Sequence, residues 1–265
     1  MFKLTDVAKH LLIINVVVFL LAQVINLDML MLYYPSAAQF KPFQIITSGF
    51  MHSGIQHILF NMLGLVMMGS ILEQVWGGRR FFIFYMICLV CAGLCYTGYH
   101  YYEFGKVENA LALLNASPSY DAWNQLVATL DTKFLAMLQF SNNQNSTDVF
   151  NTFSKSFIDG DFTRLPEVSS MVNSILETQK GIPMLGASGA VYGLLLAVGA
   201  VAPEATFILF PIPIPVKAKY MIPLALLAEY YFAMSNQKGD NVAHVAHIAG
   251  AMVGAIVLII WYRKS

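Results

Sequence analysis

Charge is what this chain has least of. Only 11% of its 265 residues are Asp, Glu, Lys or Arg, where a soluble domain carries about 25%. Acids and bases cancel to a net charge of zero and no lysine- and arginine-rich run occurs, which excludes nucleic acid as an expected partner. Cysteine is scarce too. Cys88, Cys91 and Cys95 fall in one apolar run at helical spacing, which reads as packing on one helix face rather than redox chemistry. No HExxH segment is present, and no inverted repeat is apparent. What fills the chain is hydrophobic: 57% of residues, with a mean hydropathy of +0.61. Such a composition describes a polytopic membrane protein, long enough for about six helical spans and one further module.

The N-terminus carries Lys3 and Lys9 ahead of an apolar run that Gln23 and Asn26 end. No small-residue cleavage site follows, so the run is expected to be a retained first span. Spans are expected at about 11–27, 53–72, 81–102, 185–202, 219–235 and 243–262. Residues 1–102 and 183–265 therefore form the two halves of a membrane core. Between them, 103–182 is of a different kind, with nine acidic residues against five basic ones and an Asn-Asn-Gln-Asn-Ser stretch at 142–146. It reads as a soluble helical insertion acting as a lid or recognition cap. Ser119 or Asp121 is placed to cap a helix running to about Gln139 and Ser146 a second, while Leu165 to Glu177 reads as a third that Gly181 and Pro183 end.

The bases set the topology. Lys3 and Lys9, Arg79 and Arg80, Lys217 and Lys219, and Arg263 and Lys264 gather at one set of span ends, while the opposite loops carry Lys41 and Lys238. The positive-inside rule then puts both termini in the cytoplasm and the insertion outside. The short N-terminus fits a bacterial inner membrane.

Two spans each carry a residue that hydrocarbon should exclude: Ser188 in Gly-Ala-Ser-Gly and His247 in Ala-His-Ile-Ala-Gly. Both lie at outer span ends and so share a depth. Gly186, Gly189 and Gly193 put small residues on one face of span four, and Gly250 and Gly254 do so on span six. Small faces let membrane helices approach closely, which would bring the hydroxyl to the imidazole. A base beside a serine makes a nucleophile. Tyr192, one turn below Ser188, is placed to stack on the ring. His57 and Asn61, at i and i+4 on span two, with the Ser188 amide, are candidate donors for an oxyanion. His52 lies further out and is expected to support its loop by hydrogen bonding. No acid is expected beside His247, so a dyad is expected rather than a triad. Glu229 in span five has no assigned role, and Glu73 reads as structural. Taken singly, a serine in such a segment is often a packing residue, and Asn61 a helix–helix hydrogen bond. Their joint depth favours chemistry.

These segments resemble the rhomboid intramembrane serine proteases. The resemblance rests on His52-Ser53-Gly54-Ile55-Gln56-His57-Ile58-Leu59-Phe60-Asn61, on Gly69 to Gly77 as GxxxExxxG, on Gly186-Ala187-Ser188-Gly189, and on Ala246-His247-Ile248-Ala249-Gly250 to Gly254. It implies an all-α bundle of six transmembrane helices around a water-filled cavity. It implies Ser188 as nucleophile, His247 as base, and His57, Asn61 and the Ser188 amide as the oxyanion hole, with Tyr192, His52 and Gly186 in support. The fifth span and the loop around Ser235 to Asn241 would gate substrate. Substrates would be single-span membrane proteins in the bilayer, cut near the outer boundary, with no cofactor and no metal. Two features depart from the family. Phe43-Gln44 replaces its Trp-Arg, which bears on loop stability rather than chemistry, and the insertion before span four is long. Two other readings compete: a catalytically silent relative that binds membrane helices, and a metal site or transporter using His52, His57, His244 and His247.

Overall fold

The computed structural model describes residues 3–130, 134, 146–208, 214–235 and 244–263. The helix expected to reach Gln139 and the loop around Ser235 to Asn241 lie partly outside them. The described residues are mostly helical. In order it forms α1 (Asp6–Ala22), α2 (Ile55–Trp76), α3 (Gly78–Ala116), α4 (Tyr120–Thr129), α5 (Ser146–Ile158), α6 (Leu165–Lys180), α7 (Ser188–Val201), a two-stranded hairpin of β1 (Thr206–Ile208) and β2 (Pro215–Lys217), α8 (Ala218–Ser235) and α9 (His244–Tyr262).

The chain divides into two compact units. The first is Met1–Thr97, Pro183–Met234 and Ala243–Ser265; the second is Gly98–Ile182 with Ser235–Val242. In the first, helices present apolar side chains outward as well as inward. On α1, Ile13, Val17 and Leu20 are exposed, and on α9 Met252, Ile256 and Ile259 are exposed. A helix that is apolar all round suits a hydrocarbon solvent and not water, so this is a membrane protein. Among the described residues, α2, α3 and α9 are long and apolar enough to cross a bilayer. At 14 residues, α7 spans only about 21 Å at 1.5 Å per residue, less than the ~30 Å hydrocarbon core.

Glycines decide how α7 and α9 meet. A Cβ on Gly250 would run into the Gly189 backbone, and one on Gly254 would lie 3.1 Å from the Gly193 carbonyl oxygen. Backbone therefore approaches backbone along this seam, as small residues allow. Behind this seam α7 buries Leu194, Ala197 and Val198 against Leu65, Phe84 and Cys88. The three cysteines grade along α3 from buried Cys88 to exposed Cys95 and are all free.

The start of α1 is capped from afar. The Glu73 carboxylate, 9% exposed, accepts the Val7 and Ala8 amides at 3.0 and 2.9 Å and the Thr5 hydroxyl at 2.5 Å. These amides have no helical acceptor, and an anion at a helix N-terminus also meets the favourable end of the dipole. This explains why α1 begins five residues before the apolar run. The middle of α2 carries a π-helical turn, Leu65–Gly69.

The loop between α1 and α2 is fastened by Gln44. Its side chain is fully buried and makes four hydrogen bonds: Oε1 accepts from the Tyr33 and Lys41 amides at 3.3 and 3.1 Å, and Nε2 donates to the Met29 and Gln39 carbonyls at 3.0 and 2.9 Å. A primary amide can do no more. The weakness expected from losing the family's Trp-Arg is thus offset in this chain.

The second unit has its own core. In α3 the helix expected to stop near 102 continues to Ala116, because Phe104, Val107, Leu111 and Leu114 recur at helical spacing and are buried. Ser119 caps α4 by accepting the Ala122 amide at 3.2 Å. Trp123 is buried, stands edge-on to Phe157 at 5.2 Å, and donates its indole N–H to Ser154. Gly181 ends α6, whose Lys180 pairs with Glu108 at 2.9 Å and Glu177 at 2.8 Å.

The hairpin, antiparallel with Phe207 opposite Val216, was not expected from sequence. Strands of three residues in a proline-rich stretch leave no alternation to read.

Candidate active site

The local backbone before α7 is built around Gly186. Its φ is +117°, a conformation open to glycine, and its N–H donates to the Ser48 carbonyl at 2.9 Å. A Cβ there would also sit 2.6 Å from His57 Nε2. Glycine is therefore required both for the turn and for the approach of the imidazole. Two residues on, Ser188 opens α7, where backbone N–H groups have no helical acceptor.

Across the glycine seam, Ser188 Oγ lies 2.7 Å from His247 Nε2. His247 is 8% exposed and stacks on Tyr192, with ring centroids 4.4 Å apart and planes at 9°. The structure thus brings together Ser188, His247 and Tyr192, from α7 and α9.

From the other side comes His57, in the first turns of α2. Its Nδ1 receives the Ser53 backbone N–H at 3.4 Å and faces Ser53 Oγ at 3.1 Å. A backbone N–H can only donate, so Nδ1 is the acceptor and the ring proton resides on Nε2. That N–H is the atom beside Gly186, and such a donor can stabilise developing negative charge on a group bound at Ser188. Asn61 is buried, and its amide donates to the His57 carbonyl at 2.9 Å; one of its two protons is thereby spent within α2. His52 is buried, and its ring stands edge-on to His57 at 5.0 Å. Burial, and then the neighbouring His57, push its pKa down to about 4, so it supports the loop as a neutral packed ring.

The expectation that no acid can orient His247 is overturned. Glu229, on α8 and 6% exposed, places Oε1 2.6 Å from His247 Nδ1 and 2.5 Å from His244 Nδ1, while Oε2 accepts the Tyr192 hydroxyl at 2.6 Å. Sequence spacing gives no register between α8 and α9, so the contact could not be placed. A signal was available all the same: an ionisable residue inside an apolar helix is a functional flag. Ser53 was likewise missed as the partner of His57.

Glu229, His244 and His247 also hold three potential metal-ligating atoms within 4.8 Å, an acidic neighbour that the sequence reading denied. The carboxylate oxygen is nevertheless at hydrogen-bond distance from both ring nitrogens. Two ligands on a tetrahedral ion, each about 2.0–2.1 Å away, would stand about 3.3 Å apart. The geometry is that of a hydrogen-bonded cluster.

Beside Ser188 is a small cavity of about 10 Å³, whose lining includes Gly186, Gly189, Ala190, Met184 and Ala246. It is room for about one water or one methyl group.

Comparison with known proteins adds two findings. The rhomboid domain profile matches residues 39–113 and 164–264. A mitochondrial rhomboid protein of Schizosaccharomyces pombe, described as uncharacterized, is 36% identical over 88 residues, covering 31% of this chain and 22% of the relative. The match spans less than a quarter of that relative's length, and its mitochondrial description means that this likeness does not point to a bacterial membrane.

Proposed function

The chain belongs to the rhomboid family, and on that premise we propose that it is an intramembrane serine endopeptidase. Ser188 is the nucleophile and His247 its base. The reading is carried by one observation: a serine hydroxyl 2.7 Å from an imidazole nitrogen between two mainly apolar helices. Six spans hold the site. The basic span ends put both termini in the cytoplasm and open the site outward, with 103–182 as an extracytoplasmic insertion.

In the reaction, His247 Nε2 takes the Ser188 Oγ proton as Oγ bonds the scissile carbonyl carbon. The carbonyl oxygen becomes an anion, and the His57 Nε2–H and the Ser188 amide donate to it. The C–N bond then breaks as His247 returns its proton to the leaving amine, which gives an acyl-enzyme. Water repeats the sequence and frees Ser188. Substrates are single-span membrane proteins that unwind near the outer boundary, because a helical peptide bond is shielded and already hydrogen-bonded. The small cavity beside Ser188 supports a small residue at the cut.

The test is cleavage of a single-span reporter in proteoliposomes. Wild type should cut, and Ser188→Ala and His247→Ala should not. A wild type that neither cuts nor accepts a fluorophosphonate at Ser188 would leave a helix-binding, non-hydrolytic role.

A further inference from the structure

We infer that Glu229 is a positioning residue for His247, so that Ser188, His247 and Glu229 work as a triad. The inference rests on Ser188 and His247 being the hydrolytic pair.

A carboxylate in an apolar helix is costly unless saturated. Glu229 is saturated from three side chains: Tyr192 on Oε2, and His244 and His247 on Oε1. A carboxylate only accepts, so both Nδ1 atoms carry hydrogens. For His247 this fixes the neutral ring as the Nδ1–H tautomer and leaves a lone pair on Nε2, the atom 2.7 Å from Ser188 Oγ. That is the tautomer a general base needs. When the serine proton reaches Nε2 the ring becomes a cation, and the carboxylate already in contact balances the new charge. Tyr192 serves twice. Its ring, 4.4 Å from that of His247, fixes the imidazole plane, and its hydroxyl fixes the carboxylate. His244, one turn earlier on α9, stands edge-on to His247 at 6.2 Å and holds the same oxygen. The carboxylate is thus tethered by two residues that also contact the working ring.

Glu229→Gln tests this without shortening the side chain. Tyr192 donates to the amide oxygen, so the amide nitrogen turns to His247 and donates to Nδ1. The ring proton moves to Nε2, where it blocks deprotonation of Ser188. Two readouts on the full chain follow. On a single-span reporter in proteoliposomes, kcat should fall about 1,000-fold with KM within about twofold, in keeping with a wrong-tautomer defect. In micelles, the 15N signals of His247, assigned by their loss in His247→Ala, should pass from the Nδ1–H to the Nε2–H pattern. Tyr192→Phe keeps the ring stack and the carboxylate, so it should retain the Nδ1–H pattern and lose about tenfold in kcat. Wild-type kcat in Glu229→Gln, or an unchanged His247 tautomer, would overturn the inference. So would a wild-type His247 found as Nε2–H. If wild type fails to cleave while Glu229→Gln still switches the tautomer, the positioning role stands and the protease reading falls.

Discussion

Among the described residues of the first unit two glutamates are buried, and their surroundings differ in one respect. Glu73 accepts two backbone amides and a threonine hydroxyl. Glu229 accepts a tyrosine and two histidines. Both carboxylates are equally well satisfied. The donors around Glu73 are fixed groups at a helix start, with no proton to exchange near neutral pH. The donors around Glu229 include imidazoles, and one of them, His247, also faces Ser188 Oγ. Burial and saturation therefore mark a place where charge is tolerated, and the kind of donor, backbone amide or imidazole, separates a fastening from a candidate site of proton transfer.

That contrast can be broken by experiment. The largest effect is expected at Glu229, where Glu229→Gln costs about 1,000-fold in turnover and moves the thermal midpoint less than the matching change at Glu73. Glu73→Gln should do the reverse. The Val7 and Ala8 N–H groups face different oxygens of Glu73, and one of these becomes a donor NH2, so stability falls by about 3 kcal/mol, read by unfolding in micelles, while turnover per folded molecule is retained. If Glu73→Gln lost turnover at full stability, the two sites would not differ in kind. Gln44→Ala strands four backbone groups and should cost about 2 kcal/mol, with faster proteolysis between residues 29 and 44. Ser53→Ala removes one of two contacts to His57 Nδ1 and keeps the backbone N–H, so kcat should fall only about fivefold. The smallest effect belongs to Glu204, whose pKa Lys217 and then Lys219 hold down to about 2. Its pairs with them contribute above the ordinary carboxylate range and are lost as pH falls through about 2. The group is exposed, so Glu204→Gln should leave unfolding at pH 7 unchanged.

Much of the site was legible before any coordinates. Ser188 and His247 stand out because hydrocarbon makes a lone polar residue conspicuous, and the glycine spacings told which helix faces would meet. Glu229 carried the same warning, but its partner lies 18 residues away across a connection with no readable register. The role of Gln44 was hidden for a related reason. Its four partners are spread over Met29 to Lys41, and a loop has no period from which to infer that they converge. The extension of α3 beyond 102 was visible in the spacing of Phe104, Val107, Leu111 and Leu114, yet the change from apolar to mixed composition pointed to a boundary. Composition marks the change of environment, and periodicity marks the helix; here they part company in mid-helix.

The central claim is that His247 makes Ser188 a nucleophile. The most direct measurement is the rate at which a fluorophosphonate modifies Ser188 in the full chain, followed by peptide mass spectrometry, in wild type and His247→Ala. The account predicts a single adduct on Ser188 in wild type and a rate falling to background in the variant. An unmodified wild-type Ser188, or an equal rate without His247, would contradict it.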